Sequence, residues 1–109
     1  MAIESVSYSA AQSGAEVVPG HAGEAIRILM VLATCWTNAR ITLLSEPGGD
    51  HQRAITAPLH FGGGQPLLFR LGRHYALPLD AEKALGVTTG YESTVAPVSL
   101  TIWFERVPT

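Results

Sequence analysis

Charge is scarce in this chain of 109 residues. Asp, Glu, Lys and Arg make up 15% of it, and the formal net charge is -2. A protein that grips nucleic acid by charge needs a basic stripe, so no direct nucleic-acid partner is expected. Cysteine is scarcer still: Cys35 stands alone, so no intrachain disulfide forms. It lies inside an apolar run, where it reads as a small buried hydrophobe and where a thiolate is disfavoured. No run reaches the roughly 20 apolar residues that a membrane-crossing helix needs, and Arg27 interrupts the longest one. No membrane partner is expected. The opening residues MAIESVSYSAAQSG have neither the basic start nor the apolar centre of a secretory signal. That predicts a protein made and kept in a cytoplasm, or in a particle assembled there.

The marks of catalysis are missing too. His21, His51, His60 and His74 lie outside the spacing of a metal site. Asp50-His51, on a glycine-rich loop, is the nearest thing to a ligand pair, and one pair cannot hold a structural zinc. Gly62-Gly63-Gly64 is followed by no Gly-Lys-Ser/Thr and by no helix, so it reads as a reversal and not as a phosphate cradle. No serine sits in a Gly-x-Ser-x-Gly turn, and no pair of acids suggests general acid and base work. The sequence offers no catalytic residue, no cofactor and no metal. A cupin-like enzyme would need His and Glu clustered on strands, and ranks last among the readings.

What the chain does have is apolar residues, 47% of it, set in short runs between Gly/Pro turns. The stretch from Glu24 to Ser45 is the centre. Between Ile26 and Cys35 both alternation phases are apolar: Ile26, Ile28, Met30 and Leu32 in one, Leu29, Val31, Ala33 and Cys35 in the other. A strand apolar on both faces is covered on both, whereas one face of an antiparallel sheet normally meets water. The second face is therefore expected to need a loop, an arm or another subunit. Ala39 to Leu44 alternates, and with Asn38 as a turn the two runs read as a hairpin of central strands.

Around that pair, Ile3 to Tyr8 alternates and reads as an edge strand or a docking arm, within an N-terminal piece of residues 1–14. Ala15 to Val18, closed by Pro19-Gly20, begins the domain proper, residues 15–109. Arg53 to Phe61 alternates, with Pro58 confining it to an edge or a bulge. Pro66 to Leu71, Tyr75 to Leu79 and Thr94 to Val107 complete the strands. Asp80 to Leu85 reads as a helical turn, capped by Asp80 and stopped by Gly86. Val87 to Ser93 reads as polar connection. Seven to eight short strands with one helical turn predict an all-β fold, an antiparallel β-sandwich or jelly roll.

So few charges on a small domain with so much apolar residue suggest that a partner covers part of the surface. The alternative is a monomer with a Thr, Ser and Gly surface. Large side chains expected to look outward, and so to form a protein interface, are Tyr8, Arg40, His60, Arg73, Tyr75 and Trp103. A second reading is a carbohydrate-binding module for host-surface recognition, which needs Trp36, Tyr75, Tyr91 or Trp103 together on one open face.

The order of features resembles a group of small structural proteins of tailed bacteriophages and phage-like particles. Val17-Val18, the glycine turn Gly20 to Gly23 and Ile26-Arg27-Ile28-Leu29 match its entry. Arg40-Ile41-Thr42-Leu43-Leu44-Ser45 matches its second strand. Ile55, Pro58, Leu59 and Gly62 to Gly64 match its step into a glycine reversal, and Asp80 to Leu85 and Ser99 to Val107 are similar to its closing pieces. Pro66, Arg73-His74-Tyr75 and the EPGGDHQ loop depart from the pattern. The resemblance implies a virion component of the head-decoration, head-spike-base or fibre-attachment kind, on an infectious phage or a gene transfer agent. It implies a homo-oligomer, trimer or pentamer, that binds capsid or other virion proteins and in some cases a fibre protein.

Overall fold

The computed structural model describes residues 2–9, 12–35, 38–61, 65–70, 77–78, 82–91 and 98–108. The strands are β1 (Ala2–Tyr8), β2 (Ala15–Val18), β3 (Glu24–Thr34), β4 (Ala39–Ser45), β5 (Arg53–Ala54), β6 (Leu59–Phe61), β7 (Leu67–Arg70), β8 (Leu77–Pro78), β9 (Leu85–Tyr91) and β10 (Val98–Pro108). They form two antiparallel sheets packed face to face. Sheet A runs β1-β10-β3, with β7 and β8 sharing the far side of β3. Sheet B runs β2-β9-β4, with β5 and β6 sharing the far side of β4. Six of the nine connections between successive strands cross from one sheet to the other. The expected all-β sandwich is what the chain forms.

Its interior follows from alternation. Ile26, Ile28, Val31, Ala33, Val98, Leu100, Ile102 and Phe104 point inward from sheet A. Val18, Ala39, Ile41, Leu43, Leu85 and Val87 meet them from sheet B. Full burial of one such aliphatic side chain contributes about 1.5–3 kcal/mol.

The central pair is not a hairpin. β3 lies in sheet A and β4 in sheet B, so the segment around Asn38 carries the chain from one layer to the other. The two apolar phases of β3 also have a different cause from the one expected. Trp103 of β10 pairs with Met30 and the next residue, Phe104, with Ile28, so Leu29 is an extra residue, a β-bulge. Before it Ile26 and Ile28 are buried, and after it Val31, Ala33 and Cys35 are. The bulge changes which phase faces the core. Much of the apolar run is thereby accounted for within one chain.

Two further expectations are corrected. Asp80 and Ala81 lie outside the described residues; over residues 82–85 no helical turn forms, because Glu82 has a left-handed backbone (φ 64°) and Leu85 already begins β9. Glu82 is used otherwise. Its N–H donates to the Glu24 carbonyl (2.8 Å), and its carboxylate accepts from the Gly23 N–H (3.0 Å). This ties the β2–β3 turn to the approach to β9. The segment read as polar connection is β9, a central strand of sheet B, in which Thr88 and Thr89 act as acceptors. The Gln12 N–H donates to Thr89 Oγ1 (2.8 Å) and the Gly14 N–H to Thr88 Oγ1 (3.2 Å).

The run from Arg53 to Phe61 breaks into β5 and β6, both edge strands on β4. In the gap the Leu43 N–H donates to Thr56 Oγ1 (3.1 Å), while the Ile55 N–H donates to the Leu43 carbonyl (2.8 Å). A side chain thus supplies what the interrupted ladder lacks.

Candidate interaction surface

The outer faces of the two sheets differ in chemistry. On sheet B the register aligns Arg40 with His60 and Gly90, Thr42 with Thr88, and Leu44 with Gly86 and Ala54. Leu44 and Gly86 are buried, and the exposed or half-buried side chains in those rows are Arg40, His60, Thr42, Thr88 and the small Ala54. On sheet A one cross-strand row is Ile3, Trp103, Met30 and Arg70, and the next is Ser5, Thr101, Leu32 and Leu68. Ile3 (57%) and Leu68 (60%) are exposed; Trp103, Met30 and Leu32 are half-buried.

These five side chains form a diagonal apolar strip from β1 to β7. Three gaps between strands at ~4.8 Å each make it ~14 Å wide. Polar rows bound it on both sides. One holds Arg27 and Glu105, whose Nη1 and Oε1 are 3.1 Å apart. The other holds Ser7, Ser99 and Thr34, with the Ser7 and Ser99 hydroxyls 3.4 Å apart. An apolar centre inside a polar rim is the anatomy of a protein interface. Covering Ile3 and Leu68 is worth about 1–2 kcal/mol each.

The expected contact residues do not gather on one surface. Trp103 is in the strip. Arg40 and His60 are exposed neighbours on the opposite sheet. Tyr8 does not look outward: it pairs with Val98 in the inward phase of β1 and packs half-buried against the core. Arg73 and Tyr75 lie outside the described residues.

Ile3, Met30, Leu32 and Leu68 were not among the expected contacts. Their signal was weak. Ile3 shares a phase with Ser5 and Ser7, and Met30 was assigned to the phase that begins at Ile26, which the bulge separates from it. Of the aromatic residues needed for sugar stacking, Trp36 and Tyr75 fall outside the described residues. Tyr91 belongs to sheet B and Trp103 to sheet A.

Among the described residues no three His, Cys, Asp or Glu side chains come together to hold a metal ion. The Glu46–Gln52 loop is folded on itself: the Gly49 N–H donates to the Glu46 carbonyl, the Gly48 N–H donates to Gln52 Oε1 (2.7 Å), and Lys83 Nζ lies 3.2 Å from Glu46 Oε1. His51 there is exposed. Cys35 is buried, and as the chain's one cysteine it forms no intrachain disulfide. No protein-family model, curated protein or solved structure matches the chain.

Proposed function

We propose that the chain is a non-enzymatic structural subunit of a phage or phage-like particle, a capsid decoration or the base of a head spike or fibre. It docks on other particle proteins through the outer face of sheet A. The apolar strip with its polar rim carries this reading, because a domain with so few charges leaves large aliphatic side chains in water on one face and polar ones on the other. The β-sandwich is shared by unrelated functions, so the fold supports the reading only by being compatible with it. The resemblance in the order of strands and turns supplies the particle.

The test is to purify particles from cells that carry the gene and quantify the chain by mass spectrometry. The wild-type chain is expected in the particles in fixed ratio to the major shell protein. Met30→Lys/Leu68→Lys, both on the outer face, is expected to fold and to fall at least tenfold in the particles. Absence of the wild-type chain from purified particles refutes the reading. A glycan titration monitored by Trp fluorescence is expected to be flat; saturable binding of a sugar lost on Trp103→Ala would favour a carbohydrate-binding module instead.

A further inference from the structure

Two sandwiched sheets have four edges, and among the described residues three of them carry only short strands. The β2 edge is four residues long, carries a register irregularity and ends at Pro19. On β4 the edge is split into β5, of two residues, and β6, of three, with Pro58 just before β6. On β3 it is split into β7, of four residues, and β8, of two. Short strands, proline and bulges are how sheets keep other strands away.

The fourth edge has none of these. β1 is seven residues long and pairs with β10 in an unbroken register from Ala2 to Tyr8. It contains no proline and a single charged residue, Glu4, which is exposed, and Ile3 stands exposed on it. Among the described residues no strand pairs with its other side.

We propose that this edge is a docking site for the β1 strand of a second copy, which joins the two A sheets across a two-fold axis. The length of the edge selects the occupant. No other described edge strand of a second copy exceeds four residues, so only its β1 can match all seven. An antiparallel pair of identical strands is also closed, and ends at two chains where a head-to-tail pairing would continue.

The sequence of β1 then sets the register. Opposed residues must lie on the same face of the sheet, so their numbers sum to an even value. Only the register centred on Ser5 pairs every residue from Ala2 to Tyr8. It sets Ser5 against Ser5 of the second copy, Ile3 against Ser7, and Glu4 against Val6. Shifting the centre to Glu4 opposes two carboxylates, which destabilises, and leaves Ser7 and Tyr8 unmatched. The inference does not need the particle reading. It does replace the trimer or pentamer expected from the resemblance with a two-fold unit.

Cysteine substitutions on the exposed face of β1 test it directly. At the centre of the register the two Ser5 Cα atoms lie within the 4.4–6.8 Å span of a disulfide. The two Ser7 Cα atoms lie about 14 Å apart, at ~3.4 Å per residue, and out of reach. Under mild oxidation Ser5→Cys is expected to give a covalent dimer on a non-reducing gel, and Ser7→Cys is not. Light scattering after size exclusion is expected to give twice the chain's 11.6 kDa for the wild type and the single-chain mass for Ser5→Lys, with unchanged circular dichroism.

A wild-type mass of one chain, a larger assembly unaffected by Ser5→Lys, or cross-linking of Ser7→Cys as readily as Ser5→Cys overturns the proposal. So does a wild type that associates only with a strand from a different protein. None of these outcomes touches the detection of the chain in particles, so the two readings fail separately.

Discussion

If the bulge at Leu29 changes the phase of β3, the cost of shortening side chains must switch with it. Ile28 and Val31 are both fully buried, although residues three apart on a regular strand face opposite ways. Leu32, next to Val31, is half-buried on the outer face. Ile28→Ala is expected to cost about 2–5 kcal/mol, the range for deleting a buried isoleucine. Val31→Ala removes two buried carbon groups at about 0.8 kcal/mol each, and the cavity left behind raises the loss to about 2–3 kcal/mol. Leu32→Ala is expected to cost under about 1 kcal/mol, as surface changes do. Urea unfolding followed by far-UV circular dichroism reads these losses. With a slope of about 1–3 kcal/mol/M, Val31→Ala lowers the midpoint by about 0.7 M or more and Leu32→Ala by less than half of that, with the slope unchanged. Equal losses at Val31 and Leu32, or a larger one at Leu32, would show that β3 runs through without a change of phase.

Three other positions give sharp expectations. Gly86 in β9 has no room for a side chain, because an added Cβ would collide with the Pro47 ring and lie 2.8 Å from the Ala15 carbonyl oxygen. Replacing a strand glycine usually gains about 0.4–1 kcal/mol from the unfolded state, but here overpacking is expected to win, so that Gly86→Ala destabilises by about 1–3 kcal/mol in the same urea assay. Thr56→Val leaves the buried Leu43 N–H without its acceptor at a cost of about 1–3 kcal/mol, and Thr56→Ser is expected to restore most of it. A double-mutant cycle on Arg27 and Glu105, a half-exposed pair, is expected to give under about 1 kcal/mol and to fade in 1 M salt.

Strands whose alternation is carried by aliphatic residues were legible in the sequence. β4 reads directly from Ile41 and Leu43 against Arg40 and Thr42, and β10 from Val98, Leu100, Ile102 and Phe104. β9 was not legible, since Gly86, Thr88, Thr89 and Gly90 carry a turn composition. Those residues serve packing against Pro47 and hydrogen bonds to Gln12 and Gly14, and both partners are remote in sequence. The helical reading of Asp80 to Leu85 rested on local propensity, which the tertiary bonds of Glu82 override. The bulge misled the reading most, because periodicity assumes a constant phase.

For the candidate surface, Trp103 was legible as an outward residue of an otherwise inward-facing strand. The rest of the strip depends on which strands are neighbours. Ile3 and Leu68 are brought to one face only by the order β1-β10-β3-β7. Nothing in a single strand records that order.

The place of β10 in sheet A bears on how the chain reaches its fold. It lies between β1 and β3, and pairs Phe104 with Ala2 and Val107 with Ala25. The strand made last within this chain is thus the one on which the two earliest strands of sheet A depend. While residues 98–108 are still being synthesised, β1 has no partner and the inner face of β3 has no complete sheet around it. Contacts so distant in sequence make folding slow, and apolar strands without partners are prone to aggregate in the interval. A nascent chain stalled just before Val98 would therefore be an aggregation-prone intermediate and a substrate for chaperones, whereas a chain that includes β10 supplies β1 and β3 with their shared partner in one step.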